Sequence, residues 1–275
     1  MSDAPRTATA MLTPGPPLRV ATYNIHRAVG RDRRRDPARI AAVIRELDAD
    51  LIGLQEVDWH PEPGAAPSQF EYLAHLPGYR AVAGPNLRDH RGHYGNLLLT
   101  RLPLGRIARP DLSQLGREPR GAIDVDIAAH GVRLRVIVTH LGLGLRERWR
   151  QAVRLRDLVA ARPELPTLLL GDFNDWLPGS PTLRPLLRLC QAVPRPAGFP
   201  AFFPVLALDR ILARACGAPL AIRPHGTPLA RRASDHLPIV CEIHPAAISP
   251  AAAREKDREM ARIEPRKYLF LSRRS

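Results

Sequence analysis

The chain has 275 residues, 45% hydrophobic and 25% charged, the balance of an ordinary globular protein whose length fits one core. No apolar run reaches the roughly 18 residues needed to span a bilayer, and the opening MSDAPRTATAMLTPGPPL lacks an apolar segment followed by a small-residue cleavage site, so neither a membrane span nor a secretory signal is expected. Cys190, Cys216 and Cys241 are too few and too scattered for a disulfide framework or a paired-cysteine zinc site, and they read as buried thiols. The formal charge of +14, carried almost wholly by arginine, suits nucleic acid, anionic lipid or a phosphorylated small molecule without choosing among them.

Residues 1–17 read as a mobile lead-in. LRVATYNIH then predicts a strand, and Asp36-Pro37 supplies an N-cap and first-turn proline for a helix with Ile40, Val43, Ile44 and Leu47 at helical spacing. ADLIGLQEV is a short buried strand, YRAVAG and HYGNLLLT are further strands, and GAIDVDIAAHGVRLRVIVTHL predicts a hairpin turning at His130-Gly131. A helix is predicted over about Leu145 to Ala161, its inward face drawn from Trp149, Ala152, Val153, Leu155, Leu158 and Val159. The strand PTLLLGDFN follows, then a short helix from Ser180-Pro181 that Pro185 would interrupt or bend, then the strands LALDRILA and LPIVCEI. These pairings predict a largely antiparallel or mixed sheet in one domain over residues 18–245. Residues 246–275 form a charged tail, and no internal repeat is evident.

Several strands end alike, an apolar run meeting a polar side chain at once: Asn24, Glu56, His140, Asp172 with Asn174, and Asp209. Taken singly, each reads as a turn cap. Taken together they point to one rim, because polar groups beside a buried sheet are costly unless they satisfy one another, a metal or a ligand. Carboxylates with amide oxygens suit a hard cation, Mg²⁺ or Mn²⁺, rather than zinc. Asp235 and His236 precede the last strand, whose apolar run anchors them against the core.

TYNIH, LQEV, YGNLLLT, REPRGAID, VTHLG, GDFND, LDRIL and SDHLP, spread over about Val20 to Ile243, resemble the endonuclease/exonuclease/phosphatase superfamily in content and order. The resemblance implies a four-layer α/β/β/α sandwich, two mixed, mainly antiparallel sheets flanked by helices, with the site at one edge. It implies Glu56 as the principal metal ligand, with Asn24 beside it and Asp235 near the same ion. Asp172 and Asn174 match the pair that positions the attacking water and holds a phosphate oxygen or a second metal. His236 matches the catalytic histidine and Asp209 its carboxylate partner.

The chemistry gives these roles a reason, since a phosphodiester repels hydroxide until its non-bridging oxygens are neutralised. Arg120 and His140 suit that task, and His140 could also protonate the leaving group. His236 titrates near neutrality and Asp209 would fix its tautomer; whether Asp172 or His236 is the base stays open. Tyr94 and Asn96 are expected to line the substrate channel. Where the abasic-endonuclease branch carries an acidic ligand two residues after the first motif's asparagine, this chain has His26.

The expectation is therefore a divalent-metal-dependent phosphoester hydrolase, acting on a lipid-related or small phosphodiester by in-line attack of an activated water. Nucleic acid is the alternative substrate, weakened by the lack of recognisable DNA-gripping insertions, and a non-catalytic phospho-ligand-binding module is the alternative of another class. Location is by default cytoplasmic. Peripheral lipid contact through Phe199, Phe202 and Phe203, or through YLFL in the tail, is weighed against plain packing and a solvated tail.

Overall fold

The computed structural model describes residues 16–58, 68–89, 92–129, 131–191, 193–216, 221–244 and 248. Its first sheet takes β1 (Leu18–Asn24), β2 (Leu51–Asp58), β3 (Arg80–Asp89), β4 (Gly92–Thr100), β10 (Ala221–Pro224) and β11 (Ile239–Ile243), in the order β10-β11-β1-β2-β4-β3. The second takes β5 (Leu104–Ala108), β6 (Ala122–Ala129), β7 (Val132–His140), β8 (Thr167–Asp172) and β9 (Asp209–Arg214), in that order. Each sheet holds one parallel pair, β1 with β2 and β7 with β8, and all its other pairings are antiparallel.

Side chains alternate across the sheets, and three apolar clusters follow from this. Along β1, Leu18 and Val20 enter the cluster between the sheets with Leu98, Val136, Val138, Leu168 and Leu170. Ala21 and Tyr23 point the other way, toward Ile40, Ile44 and Leu47 of α1 (Pro37–Leu47), Leu73 of α2 (Gln69–Ala74) and Ala230 of α5 (Pro228–Ala233). On the far side, Ile137, Leu169 and Leu212 pack on Ala152, Leu155 and Val159 of α3 (Leu145–Ala160) and on Leu186 of α4 (Arg184–Leu187). This is the expected layering of helices, sheet, sheet and helices. Burial of each such leucine, isoleucine or valine stabilises by about 1.5–3 kcal/mol.

Local chemistry explains the element ends. Asp36 Oδ1 accepts the Arg39 N–H at 2.9 Å, Pro37 fills the first turn, and Asp48 closes α1 in the left-handed region. Gly171 admits no side chain, because a Cβ there would run into the Thr139 carbonyl oxygen of the neighbouring strand.

The structure corrects several expectations. Trp149 is exposed, and the buried stripe of α3 is Arg148, Gln151, Ala152, Leu155 and Val159. Arg148 turns inward because its guanidinium donates to the Leu143 carbonyl at 2.8 Å while its plane lies over Trp176. The helix after Ser180 begins only at Arg184, so Pro185 stands in its first turn, where a missing N–H costs nothing, and does not interrupt it. β5, β10, α2 and α5 were not anticipated; β5 and β10 are short edge strands with mostly exposed residues and no apolar alternation. The three cysteines are buried, as expected. The hairpin residue His130, most of the lead-in and the tail lie outside the described residues.

Candidate active site

The two parallel pairs bring four strand ends to one rim. β1 and β2 run side by side with Asn24 opposite Gln55, and β7 and β8 do so with His140 opposite Asp172, which also faces Asp209 at the start of antiparallel β9. β1 packs over β8, so the two sets meet across the sandwich. The junction is direct: Asn24 Nδ2 donates to Glu56 Oε1 at 3.0 Å and to Asp172 Oδ2 at 3.1 Å.

Glu56 reaches this junction through a distortion. The β2–β4 register slips between Leu54 and Val57, and Glu56 within that bulge has φ 59°. A regular strand would send consecutive side chains to opposite faces, whereas the bulge re-aims one of them. Asn174, at φ 49°, makes a comparable turn after β8: its N–H bonds Asp172 Oδ1 at 2.8 Å and its amide Nδ2 donates to the Leu141 carbonyl at 2.9 Å.

Two histidines flank Asp172, with Nε2 of His140 at 3.5 Å and Nε2 of His236 at 3.9 Å from its Oδ2. Their surroundings drive them apart. Burial and then the Arg120 guanidinium, whose Nη1 lies 3.1 Å from His140 Nδ1, push His140 down to about 4 against the pull of Asp172 and Glu56. Arginine can only donate, so His140 Nδ1 is the acceptor and its proton sits on Nε2, facing the site. For His236, burial opposes the charged ring, but Asp209 Oδ2 at 2.7 Å from Nδ1, with Asp172 and Asp235 behind it, outweighs burial and pushes it up to about 10. Burial pushes the Asp209 carboxyl up to about 6 against the pull of His236, so at neutral pH the pair is a carboxylate facing an imidazolium and titrates as one unit.

Burial raises the Asp172 carboxyl, but the two histidines, the Asn174 N–H and the Asn24 amide together hold it below the usual carboxylate range. Glu56 is likewise held low despite burial, by His140, Asn24 and His26.

The remaining expected residues lie around this centre. Asp235 is partly exposed, its Oδ1 3.3 Å from Ser234 Oγ and 3.7 Å from His26 Nδ1. Arg120 is buried and also donates to Glu118 at 2.9 Å. Tyr94 is buried beneath the Arg27 guanidinium, 4.8 Å from its ring centroid. Asn96 is fully buried and donates to the Gly121 carbonyl at 3.2 Å, while its Oδ1 has no partner among the described residues. Phe199 packs against His236 with ring centroids 4.7 Å apart and the ring planes tilted by 49°.

Ser234 was missed as a site residue. Its Oγ donates to the Asn24 carbonyl at 2.9 Å and accepts the His236 N–H at 3.2 Å, tying the end of β1 to the histidine loop. The SDH spelling was its only signal in the sequence. His26, Arg27 and Ala28 also escaped notice as a turn: all three have positive φ, and the turn leans His26 toward Asp235.

The donor set suits a hard divalent cation. Glu56, half-buried, and Asp172, buried, are carboxylates held ionised that share the Asn24 amide as a donor, and Asp209 Oδ1 is buried with no hydrogen-bond partner among the described residues. Asp172, Asp209 and His236 also present ligand atoms within 4.8 Å of one another. However, His236 Nδ1 and Asp209 are committed to each other at 2.7 Å, and a protonated imidazole is no ligand. The oxygens near Asn24 are therefore the better cation site.

A family model described as Endonuclease/Exonuclease/phosphatase family matches residues 21–236. The chain is 33% identical over 246 residues to the uncharacterised protein YbhP of Escherichia coli strain K12, covering 82% of this chain and 96% of that protein. A solved endonuclease/exonuclease/phosphatase from Beutenbergia cavernae is similar at 26% identity and TM-score 0.68, over 84% of this chain and 72% of that one. A mannosyl-6-phosphatase of Bacteroides thetaiotaomicron shares the fold at 20% identity and TM-score 0.63, over 82% and 99% of the two chains. No helix among the described residues is long and apolar enough to cross a membrane.

Proposed function

Since the chain belongs to the endonuclease/exonuclease/phosphatase family, whose members hydrolyse phosphoester bonds, we propose that it is a divalent-metal-dependent phosphodiesterase acting on a lipid-related or small phosphodiester. The observation that carries this reading is Asp172 set between a neutral and a charged histidine and joined through Asn24 to Glu56.

Glu56 and Asp235, with Asn24 once its amide turns Oδ1 from the His26 N–H toward them, would hold Mg²⁺ or Mn²⁺, which would supply Lewis-acid neutralisation of phosphate charge. The chain's own groups do the rest. His140 Nε2–H and Asn174 Nδ2 are two donors 3.1 Å apart, a pairing that an anionic phosphate oxygen accepting from both would relieve. Arg120 keeps His140 in that donor tautomer, so His140 serves as a neutral hydrogen-bond donor and not as the acid that protonates the leaving group. With His236 already protonated in the chain alone, Asp172 is the ionised group placed to orient a water and accept its proton. His236 contributes a cationic donor to the phosphate, fixed by Asp209. Tyr94, beside Glu56 and Arg120, backs the substrate channel, whereas Asn96 is fully buried and braces the Gly121 carbonyl instead of lining the channel.

Hydrolysis of bis-p-nitrophenyl phosphate with Mg²⁺ or Mn²⁺ tests the proposal. Turnover should be stimulated by metal and fall by roughly a hundredfold or more in His236→Ala and in Asp172→Asn. Absence of metal-stimulated turnover, or full turnover by both variants, sinks it. The +14 charge motivates a nuclease as the second reading. That reading requires plasmid nicking at low salt which disappears in His236→Ala.

A further inference from the structure

Ten large apolar side chains are exposed among the described residues, and eight of them lie at one end of the molecule. The pairing of the second sheet sets this. β7 and β8 end at the rim, and antiparallel β6 and β9 begin there. The loop entering β6 carries Leu115. The segment after β7 and the first turns of α3 carry Leu143, Leu145 and Trp149, and the loop after β8 carries Trp176. The loop entering β9 carries Phe202, Phe203 and Val205, just after Phe199, whose ring packs against His236. The exposed apolar groups thus surround the catalytic cluster. The other two, Tyr72 on α2 and Ile107 on β5, lie on other elements.

Exposed arginines are interleaved with this ring. Arg117 follows Leu115, while Arg146 and Arg150 flank Trp149. From the first sheet, Arg31 lies over the Phe202 ring at 4.9 Å. Glu147, the acidic residue of the α3 start, is buried, and Glu118 is engaged by Arg120.

We propose that this rim docks the protein on an anionic lipid bilayer, its apolar side chains entering the headgroup boundary and its arginines meeting lipid phosphates, so that the active site opens onto the membrane surface. An interfacial surface needs this pairing of apolar area with cationic flanks. Single-stranded nucleic acid would use the same arginines, but it stacks on aromatic faces, and Leu115, Leu143, Leu145 and Val205 offer none. A second copy of the chain is disfavoured, because the facing surfaces would both be cationic. Docking stands independently of the phosphodiesterase reading; that the docked lipid supplies the substrate rests on it.

The test is co-sedimentation of the full chain with phosphatidylcholine vesicles containing phosphatidylglycerol, with turnover of soluble bis-p-nitrophenyl phosphate measured in parallel. Binding should require phosphatidylglycerol and weaken as salt rises from about 0.1 M to about 1 M. The double variants Phe202→Ser/Phe203→Ser and Leu143→Ser/Leu145→Ser should each lower vesicle partitioning by roughly tenfold or more, with soluble turnover unchanged. Tyr72→Ser/Ile107→Ser should leave both readouts unchanged. Several results would overturn the proposal: no binding to anionic vesicles, binding unaffected by both rim variants, or a loss equal to that in the Tyr72/Ile107 control. It also fails if the rim variants weaken single-stranded DNA binding, or dissociate a dimer, without touching vesicle binding. Failure of vesicle binding with soluble turnover intact rejects the docking surface alone, whereas lack of turnover with vesicle binding intact rejects the enzymatic reading alone.

Discussion

The Asp209–His236 pair yields the sharpest prediction. Asp209→Asn keeps a hydrogen-bond acceptor beside Nδ1 but removes the charge that most opposes the burial of His236. Breaking a buried ion pair by neutralising one partner costs about 3–5 kcal/mol. At about 1.4 kcal/mol per unit of pKa, the His236 value should fall by roughly 2–3.5 units from about 10, toward its ordinary 6.5. The sign of the linked stability follows. A histidine raised on folding stabilises the native state fully below pH 6.5, and that contribution is lost as pH rises through about 10. Denaturant unfolding of chelator-treated protein should therefore show stability declining between these limits in the wild type, with most of the decline absent in Asp209→Asn. Histidine NMR on the same samples reads the pKa directly. An unchanged His236 pKa in the variant would refute the claim that Asp209 governs the charge of the imidazole.

Three further outcomes are expected. His140 is depressed to about 4, so its contribution to stability is present above 6.5 and lost as pH falls toward 4; Arg120→Gln should raise its pKa in an NMR titration, and no movement would remove Arg120 as a cause. Gly171→Ala forces a methyl group against the Thr139 carbonyl and should destabilise by about 1–3 kcal/mol or more, read as a fall in thermal midpoint; an unchanged midpoint would contradict the close approach of β7 and β8. Mg²⁺ or Mn²⁺ should raise the midpoint of the wild type, and Glu56→Gln should need roughly tenfold more metal or greater for the same rise; identical metal titrations would exclude Glu56 as a ligand.

Much of the fold was legible because apolar runs and turn residues coincide with the central strands, and because Asp36-Pro37 marks a helix start by two separate physical effects. The convergence of Asn24, Glu56, His140, Asp172 and Asp209 was legible for a different reason: polar side chains at the ends of buried strands need partners. What stayed hidden was three-dimensional accommodation. The bulge that turns Glu56 leaves no composition signal, since the residue simply follows an apolar run. Arg148 and Trp149 stand one residue apart on α3, and hydrophobicity placed the wrong one inside, because the hydrogen bonds that bury Arg148 come from a loop before the helix. The opposite charge states of the two histidines were equally invisible, as they depend on Arg120 and Asp209 arriving from other strands.

The bond from Asn24 to Asp172 spans 148 positions of the chain and joins one sheet to the other. Neither sheet holds a working centre by itself: Glu56 and Asn24 belong to the first, His140 and Asp172 to the second. Chemical competence is therefore a property of the closed sandwich, forfeited at the first parting of the halves even if every strand stays paired within its own sheet. A catalytic assay on this protein would then act as a gauge of intersheet closure, falling before circular dichroism registers any loss of strand.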